Sequence, residues 1–376
     1  MNEKKLNVLW LMPGPSNRPD LVEFKDRFEL LSQHFEGEVY SSSKDYKFSE
    51  FKMGDFTYRG YIAPQQPSKL SLARHIIKSA IQYNKKKPVD LIVCYEPVFT
   101  GVIGAVLKIF FRCKLVVELN NSNIAEAIKM EVGNNFKAKL KIGLFKTLRA
   151  FSLFNSDGIK LLTEGQLPNL EKKYHSKKVF CFHDFVPTHY FTDAPTQMKN
   201  YILFVGYPFH RKGIDLLVDA FDRIKNDFPD IELWLIGHRL IDEANSRLGS
   251  WDPRIKFMKA KFYDELRDYF LNCYFFVLPS REEGMGRVLL EAMASGKAVV
   301  GANVGGIPDL VQHNGNGLLF EKENIEELSD CLRMLLAEKN KAQSLGKNGK
   351  ERIEKDFSSE KYVECFTNMA TNICSD

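Results

Sequence analysis

The sequence predicts an α/β protein built as two doubly wound domains in series. Two observations carry this. The chain has 376 residues, more than one hydrophobic core comfortably serves. Short apolar runs also alternate with longer amphipathic stretches, and that alternation lapses once and then restarts. The lapse is "DFVPTHYFTDAPTQMKN", residues 184–200, which carries two prolines and no period. It reads as a linker.

In the first half, strand-like runs are expected at 7–12, 37–40, 90–95, 114–119, 158–163 and 178–182. Helical periods are expected at 20–35, 69–84, 100–111 and 123–152. The second half restarts with runs at 201–206, 231–237, 254–258, 274–280 and 297–302, with helices that include 214–226 and 287–295. Three helical patterns close the chain, at 324–337, 340–355 and 359–372. This order predicts two parallel sheets, each covered on both faces, with ligands beyond the carboxyl ends of the strands. The expected boundaries are 1–190, 191–356 and a last helix, 357–376, that crosses back to the first domain. Two such domains facing each other would enclose a cleft.

Composition narrows the class. With 44% hydrophobic and 27% charged residues the chain is that of a folded protein, not a disordered one. Seven scattered cysteines, odd in number and without a CxxC pair, read as reduced thiols in a cytoplasmic setting, not as a disulfide framework or zinc site. The start, "MNEKKLNVLWLMPGPS", resembles a signal peptide superficially, but its apolar run is short and ends in Pro-Gly-Pro, so a first buried strand is the better reading. The stretch "TGVIGAVLKIFF" is too short to span a bilayer. His75, His175, His183 and His189 lack metal spacing. The net charge of +5 is uneven. Residues 1–200 hold 30 Lys and Arg against 20 Asp and Glu, and the remainder is net acidic, so the halves face different partners.

Two clusters carry chemistry. In "FVGYPFHRKGIDLLVDAF", residues 204–221, a strand ends at Gly206. A loop then presents His210, Arg211 and Lys212 before a helix opens. Adjacent cations at the carboxyl edge of a parallel strand suit a diphosphate and would neutralise charge building on a departing group. In "REEGMGRVLLEAMASGKAVVG", residues 281–301, Glu283 stands in a loop before Gly284-Met285-Gly286, and Glu291 lies inside the helix that follows. The amides of Met285, Gly286, Arg287 and Val288 mark a helix start that favours an anion. A carboxylate cannot ligate phosphate, so each glutamate is expected to accept hydrogen bonds from hydroxyls. Hydroxyls at both ends and a diphosphate between them describe a sugar nucleotide.

These segments, with "FFVLPSREEGMGRVLLEAMASGKAVVGANVGGIPDLV" and "HNGNGLLFE", resemble glycosyltransferase family four, retaining enzymes of the GT-B fold. The likeness covers most of residues 200–340 and includes a Glu-x7-Glu signature as Glu283 and Glu291. The resemblance implies that Glu283 and the backbone of Gly284, Met285 and Gly286 hold the donor sugar. Glu291 would hold the ribose hydroxyls and Lys212 the diphosphate, with the Val288 and Leu289 amides near the phosphates. Gly206 and Arg287 would line the same donor side. Glu283, Arg211 and Lys212 are the catalytic candidates. No metal or other cofactor is implied, and no Asp-x-Asp occurs.

The sequence also departs from the family. Tyr207 stands where the family often has arginine, a charge that Arg211 could replace. The first domain matches in layout alone, with "PGPSNRP" in place of a glycine-rich loop and Asn120 where a histidine is often found. Gly14, Asn120 and Asn121 are its acceptor-side candidates.

The expected reaction is hexosyl transfer from a nucleoside diphosphate sugar to a hydroxyl of a glycan or lipid-linked acceptor, in cell-surface polysaccharide or glycolipid synthesis. A sugar-nucleotide epimerase or hydrolase and a non-catalytic binding protein are the alternatives. No nucleic-acid partner is expected. The segment "NNFKAKLKIGLFKTLRAFSLF" interleaves Lys137, Lys139, Lys141, Lys146 and Arg149 with Phe136, Leu140, Leu144, Phe145 and Leu148. It reads either as a helix lying on an anionic membrane, on the inner face, or as one whose stripe packs on the domain's own sheet.

Overall fold

The computed structural model describes residues 4–13, 18–43, 45–62, 68–120, 135–174, 176–191 and 198–375. The chain forms two compact units. Unit 1 comprises Met1–Leu162, Leu167–Phe185 and Ser359–Asp376, and unit 2 comprises Thr163–Gln166 and Val186–Ser358.

In unit 1 the strands are β1 (Leu6–Leu11), β2 (Phe35–Ser43), β3 (Glu50–Met53), β4 (Phe56–Ile62), β5 (Leu91–Cys94), β6 (Lys114–Leu119), β7 (Gly158–Leu161) and β8 (Lys178–Cys181). They form one sheet in the order β3-β4-β2-β1-β5-β6-β7-β8. Every pairing is parallel except β3 with β4. That hairpin was not expected from the sequence, although Phe51 and Met53, then Phe56 and Tyr58, recur at every second position about a Gly54-Asp55 turn.

The helices of unit 1 are α1 (Val22–Leu31), α2 (Lys69–Lys86), α3 (Thr100–Phe111) and α4 (Phe136–Asn155), joined by the chain's last helix. α3 starts where the Glu96 carboxylate accepts from the amides of Val98 and Phe99, both at 2.7 Å. α4 starts at Phe136, capped by Asn135, whose side chain accepts from Ala138 N at 2.8 Å. The longer helix expected from residue 123 falls partly outside the described residues, as do Gly14 and Asn121.

In unit 2 the strands are β9 (Tyr201–Val205), β10 (Glu232–Gly237), β11 (Ile255–Lys259), β12 (Phe275–Leu278), β13 (Val299–Ala302) and β14 (Leu318–Phe320). The sheet is parallel throughout, in the order β11-β10-β9-β12-β13-β14. β14 is three residues long and lies within "NGLLFE", too short a run to show a period. The helices are α5 (Ile214–Ile224), α6 (Leu240–Arg247), α7 (Tyr263–Asn272), α8 (Arg287–Ala294), α9 (Ile307–Leu310), α10 (Ile325–Ala337) and α11 (Lys339–Asp356). α5 shows why these sequences fold as they do. Its apolar side chains Ile214, Leu217, Val218, Phe221 and Ile224 fall on one face and are buried, while Asp222 and Arg223 stay outside.

The last helix, α12 (Ser359–Cys374), belongs to unit 1. Phe366 stacks on Trp10 with ring centroids 4.9 Å apart, and Tyr362, Met369 and Ile373 join the same core. Near the carboxyl ends of the strands beneath it lie buried charges. Lys160 Nζ is 3.2 Å from Glu118 Oε1, both fully enclosed. Arg27 Nη2 donates to Asp184 Oδ1 at 2.7 Å, and Tyr95 Oη donates to Asp184 Oδ2 at 3.1 Å. Such charges are tolerated in a core only because each has an opposite charge beside it.

Candidate active site

β9 and β12 are neighbours in the sheet of unit 2, and the strand order reverses between them. β10 and β11 run outward on one side, β13 and β14 on the other. In an open parallel sheet this is where the loops at the carboxyl ends splay apart and leave a binding crevice. Both sequence clusters fall here. The loop after β9 carries Gly206, Arg211 and Lys212, and the loop after β12 carries Glu283 to Gly286.

The two loops meet through charge. The Lys212 ammonium bonds the Glu283 carboxylate, and both side chains are almost fully enclosed. Ser280 Oγ donates to Glu283 Oε2 at 3.2 Å, and the Gly284 amide approaches Oε1 at 3.2 Å. Burial pushes the Glu283 carboxyl up. Lys212, Arg211 and the Ser280 hydroxyl outweigh it and hold the group below its ordinary value, so Glu283 is ionised. Arg211 is more open to solvent, and its guanidinium reaches Tyr207 O at 3.4 Å. Tyr207 itself is turned to His238, ring to ring at 5.5 Å.

Sequence reasoning missed Arg281. Its guanidinium is buried and bonds Asp215 through two nitrogens at 2.6 and 2.7 Å. It also bonds Glu323 at 2.7 and 3.2 Å and the His210 carbonyl at 2.7 Å. Its backbone amide donates to Arg211 O at 2.8 Å. One side chain thus fastens the loop after β9, the start of α5 and the turn after β14 to the loop after β12. The signal in the sequence was only an arginine beside two glutamates, because its partners lie far along the chain.

Beyond Glu283 the chain turns at Gly286, whose φ of +83° is a left-handed conformation that side chains resist, and α8 begins. The same loop rests on a second glycine. A Cβ on Gly305 would lie 1.9 Å from Glu283 O, so only glycine permits this approach. Met285 is buried. The amides of Arg287 and Val288 lie in the first turn of α8, before its hydrogen-bond ladder begins. The Leu289 amide does not share that role. It donates to Gly286 O at 2.8 Å, and its side chain is fully buried. Glu291 is buried one turn inside the helix, with Arg287 Nε 3.3 Å from its Oε1. Arg287 also lies over the Tyr263 ring at 5.6 Å. Pro308 and Asp309 sit in the short helix α9, where Asp309 Oδ2 accepts from Gly165 N at 2.7 Å.

The acceptor-side candidate Asn120 lies in unit 1, just past β6. Its amide nitrogen donates to Tyr95 O, which ties the ends of β5 and β6 together. Among the described residues no group of three or more His, Cys, Asp or Glu is placed to hold a metal.

Residues 189–352 match the family model described as glycosyl transferases group 1. Over 99% of its length the chain superposes on all of sucrose-phosphate synthase from Thermosynechococcus elongatus, with a TM-score of 0.80 at 17% identity. The fold is GT-B. Among its sequence relatives are proteins named as glycosyltransferases. The chain is 29% identical to an uncharacterized glycosyltransferase of Methanocaldococcus jannaschii over 73% of each chain. It is 32% identical to a GDP-mannose-dependent alpha-(1-6)-phosphatidylinositol monomannoside mannosyltransferase of Mycobacterium tuberculosis, over 38% of this chain and 40% of that one.

If Arg281 fastens these loops, Arg281→Met should lower the stability of unit 2 by about 1.5–3 kcal/mol, the range for hydrogen bonds to charged groups. Asp215 and Glu323 are partly exposed, which favours the lower end. Trypsin should also cleave faster after Arg211 and Lys212 in the variant. An unchanged urea midpoint together with unchanged cleavage would show that the loops hold without it.

Proposed function

We propose that the protein is a retaining hexosyltransferase that takes its sugar from a nucleoside diphosphate donor and passes it to an acceptor hydroxyl. The observation that carries this reading is the Lys212–Glu283 pair, flanked by Arg211, at the switch point of the sheet in unit 2. It brings a cation for a diphosphate and a carboxylate for sugar hydroxyls into direct contact. The GDP-mannose dependence of the mycobacterial relative supports a nucleotide-sugar donor, and its phosphatidylinositol mannoside acceptor supports a lipid-linked one.

In this reading the diphosphate lies against Lys212 and Arg211 and the first-turn amides of α8. Glu283 accepts hydrogen bonds from donor sugar hydroxyls, and Glu291 accepts them from the ribose. The bond from the anomeric carbon to the diphosphate oxygen breaks, and its electron pair leaves with the diphosphate. The acceptor oxygen then bonds the anomeric carbon on the same face, and its proton passes to the departing phosphate oxygen. The cations act mainly on charge that develops as this bond breaks.

The deciding experiment follows a labelled donor with and without lipid extract, and reads the product's anomeric configuration by NMR. Retained configuration in an acceptor-linked product is expected, with the rate unchanged by a chelator. Inverted product overturns the mechanism. Donor consumed without any acceptor indicates an epimerase or hydrolase, and binding without turnover indicates a binding protein.

Lys212→Met and Arg211→Ala should each lower kcat by about 100-fold or more, with smaller effects on donor affinity. Normal turnover by the Arg211 variant would show that Arg211 does not make up for Tyr207. Glu291→Ala should weaken nucleoside diphosphate binding by about 1.5–3 kcal/mol in a calorimetric titration. Equal affinity would remove the ribose assignment.

The acceptor is proposed to be met at an anionic membrane surface. No described helix is long and apolar enough to cross a membrane, but α4 is suited to lie on one. Phe136, Leu140, Leu144, Phe151 and Phe154 are 79, 68, 57, 41 and 75% exposed. At about 100° per residue they fall within an arc of about 80°. Lys137 and Lys141 flank one side of that arc, and Lys139 and Lys146 the other. Phe145 and Leu148 turn inward instead, so the stripe read from the sequence was partly the wrong one. Ile109 and Phe110, at the end of the neighbouring α3, are exposed as well. Each lysine near an anionic surface contributes about 1 kcal/mol, screened by salt. Co-sedimentation with phosphatidylserine vesicles should fall at high salt and when Lys137, Lys139 and Lys141 become glutamine. No binding at low salt would redirect the search to a soluble acceptor.

A further inference from the structure

The opposite edge of the same sheet holds a second basic cluster that the proposed reaction does not use. A pocket of about 560 Å³ opens at the amino ends of β9, β12 and β13, beside the first half of α11. Its size is that of a small-molecule site. Its floor is apolar, built from Phe191, Leu271, Ala298 and Ala342, all buried. Four lysines line it: Lys297, Lys339, Lys347 and Lys350. No carboxylate stands among the described lining residues.

Lys297 is the unusual member. It is only 7% exposed, and among the described residues no carboxylate lies within ion-pair distance of it. An ammonium taken out of water without a counter-charge is costly, and burial accordingly pushes its pKa down. Capping of α8 does not explain the charge. The last turn of that helix is already closed by backbone amides, with Ser295 N on Glu291 O, Gly296 N on Met293 O and Lys297 N on Ala292 O. Of the other three lysines, among the described residues only Lys347 has a carboxylate within ion-pair distance, Glu351 at 3.8 Å, and both are exposed.

We infer that this pocket binds an organic phosphate, with the phosphate group held by Lys297 and the lysines at the rim and an apolar tail lying on the floor. A phosphate dianion supplies the counter-charge that Lys297 lacks and can accept from more than one ammonium at once. The site lies at the amino edge of the strands, whereas the donor side lies at their carboxyl edge. The inference therefore stands whether or not the transferase reading does.

The test is a calorimetric titration of the full chain with octyl phosphate, inorganic phosphate and octanol. Wild type should bind octyl phosphate at least about tenfold more tightly than either of the others, since each tenfold step is about 1.4 kcal/mol. Lys297→Met, which keeps the stem and removes the charge, should weaken octyl phosphate by about tenfold or more, and Lys212→Met should leave it unchanged. If Lys297→Met does not fold, the Lys339→Met/Lys350→Met double variant at the exposed rim should show the same loss. Equal affinity in wild type and the Lys297 variant overturns the inference, as does a loss confined to Lys212→Met. Inorganic phosphate binding as tightly as octyl phosphate refutes the apolar subsite. No binding of octyl phosphate by wild type at low millimolar concentration refutes the site itself.

Discussion

The candidate site depends on one electrostatic arrangement. Two loops from neighbouring parallel strands must hold two cations and a carboxylate close together in a partly enclosed space. Arg211 and Lys212 repel each other, and Arg281 adds a third positive charge nearby. The arrangement stands because every cation has an oxygen to meet: Lys212 has Glu283, Arg281 has Asp215 and Glu323, and Arg211 has a backbone carbonyl. Arg281 is the member that spans the most chain, so it fixes where the other two can be. Its planar fork suits this task in a way a lysine would not, because it addresses two carboxylates and a carbonyl from one rigid group.

Unit 1 solves a different problem by related means. Its last helix comes from the far end of the chain and is held by an aromatic core, with Phe366 stacked on Trp10 and set edge-on to Phe35 at 5.2 Å. Beside that core, Arg27 lies over the rings of Phe185 and Tyr362, each at 5.7 Å, and Lys160 lies over Phe182 at 4.7 Å. The buried cations are therefore neutralised by Asp184 and Glu118 and also faced by aromatic rings, which attract them. Removing α12 would expose both apolar surface and charge. That explains why a terminal helix so far from the rest of unit 1 in sequence is part of its core.

The sheet cores were legible because central parallel strands are continuous apolar runs, and "YILFVG" and "KLVVEL" allow little else. The edge elements were not. β3 is a four-residue edge strand that is largely open to solvent, its neighbour β4 breaks its aromatic run with Arg59 and Gly60, and β14 is three residues long. In the site, the left-handed turn at Gly286 could be read from its glycine. The Arg281 contacts could not, since Asp215 lies 66 residues away and Glu323 lies 42 away. Periodicity also misjudged α4. A helical wheel finds that apolar residues share a side but does not say which of two apolar arcs meets the protein. Here Ala138, Ser152 and Leu153 take the buried side, and Phe136, Leu140, Leu144, Phe151 and Phe154 face out.

The pairing of Lys212 with Glu283 also bears on how the proposed reaction would be gated. An ion pair this enclosed is strong enough to keep Glu283 ionised against the cost of burial. A diphosphate brought to Lys212 would compete with Glu283 for the same ammonium. Glu283 would then lose the ammonium that bonds it directly, and a buried carboxylate gains from any donor that takes that place. Sugar hydroxyls supply the missing donors at that moment, so the two halves of a sugar nucleotide bind better together than either does apart. A free nucleoside diphosphate offers no such compensation and pays the full cost of parting the pair. In the proposed reaction this favours the intact donor over the spent one, which is the direction a transferase needs if product is to leave after each turnover.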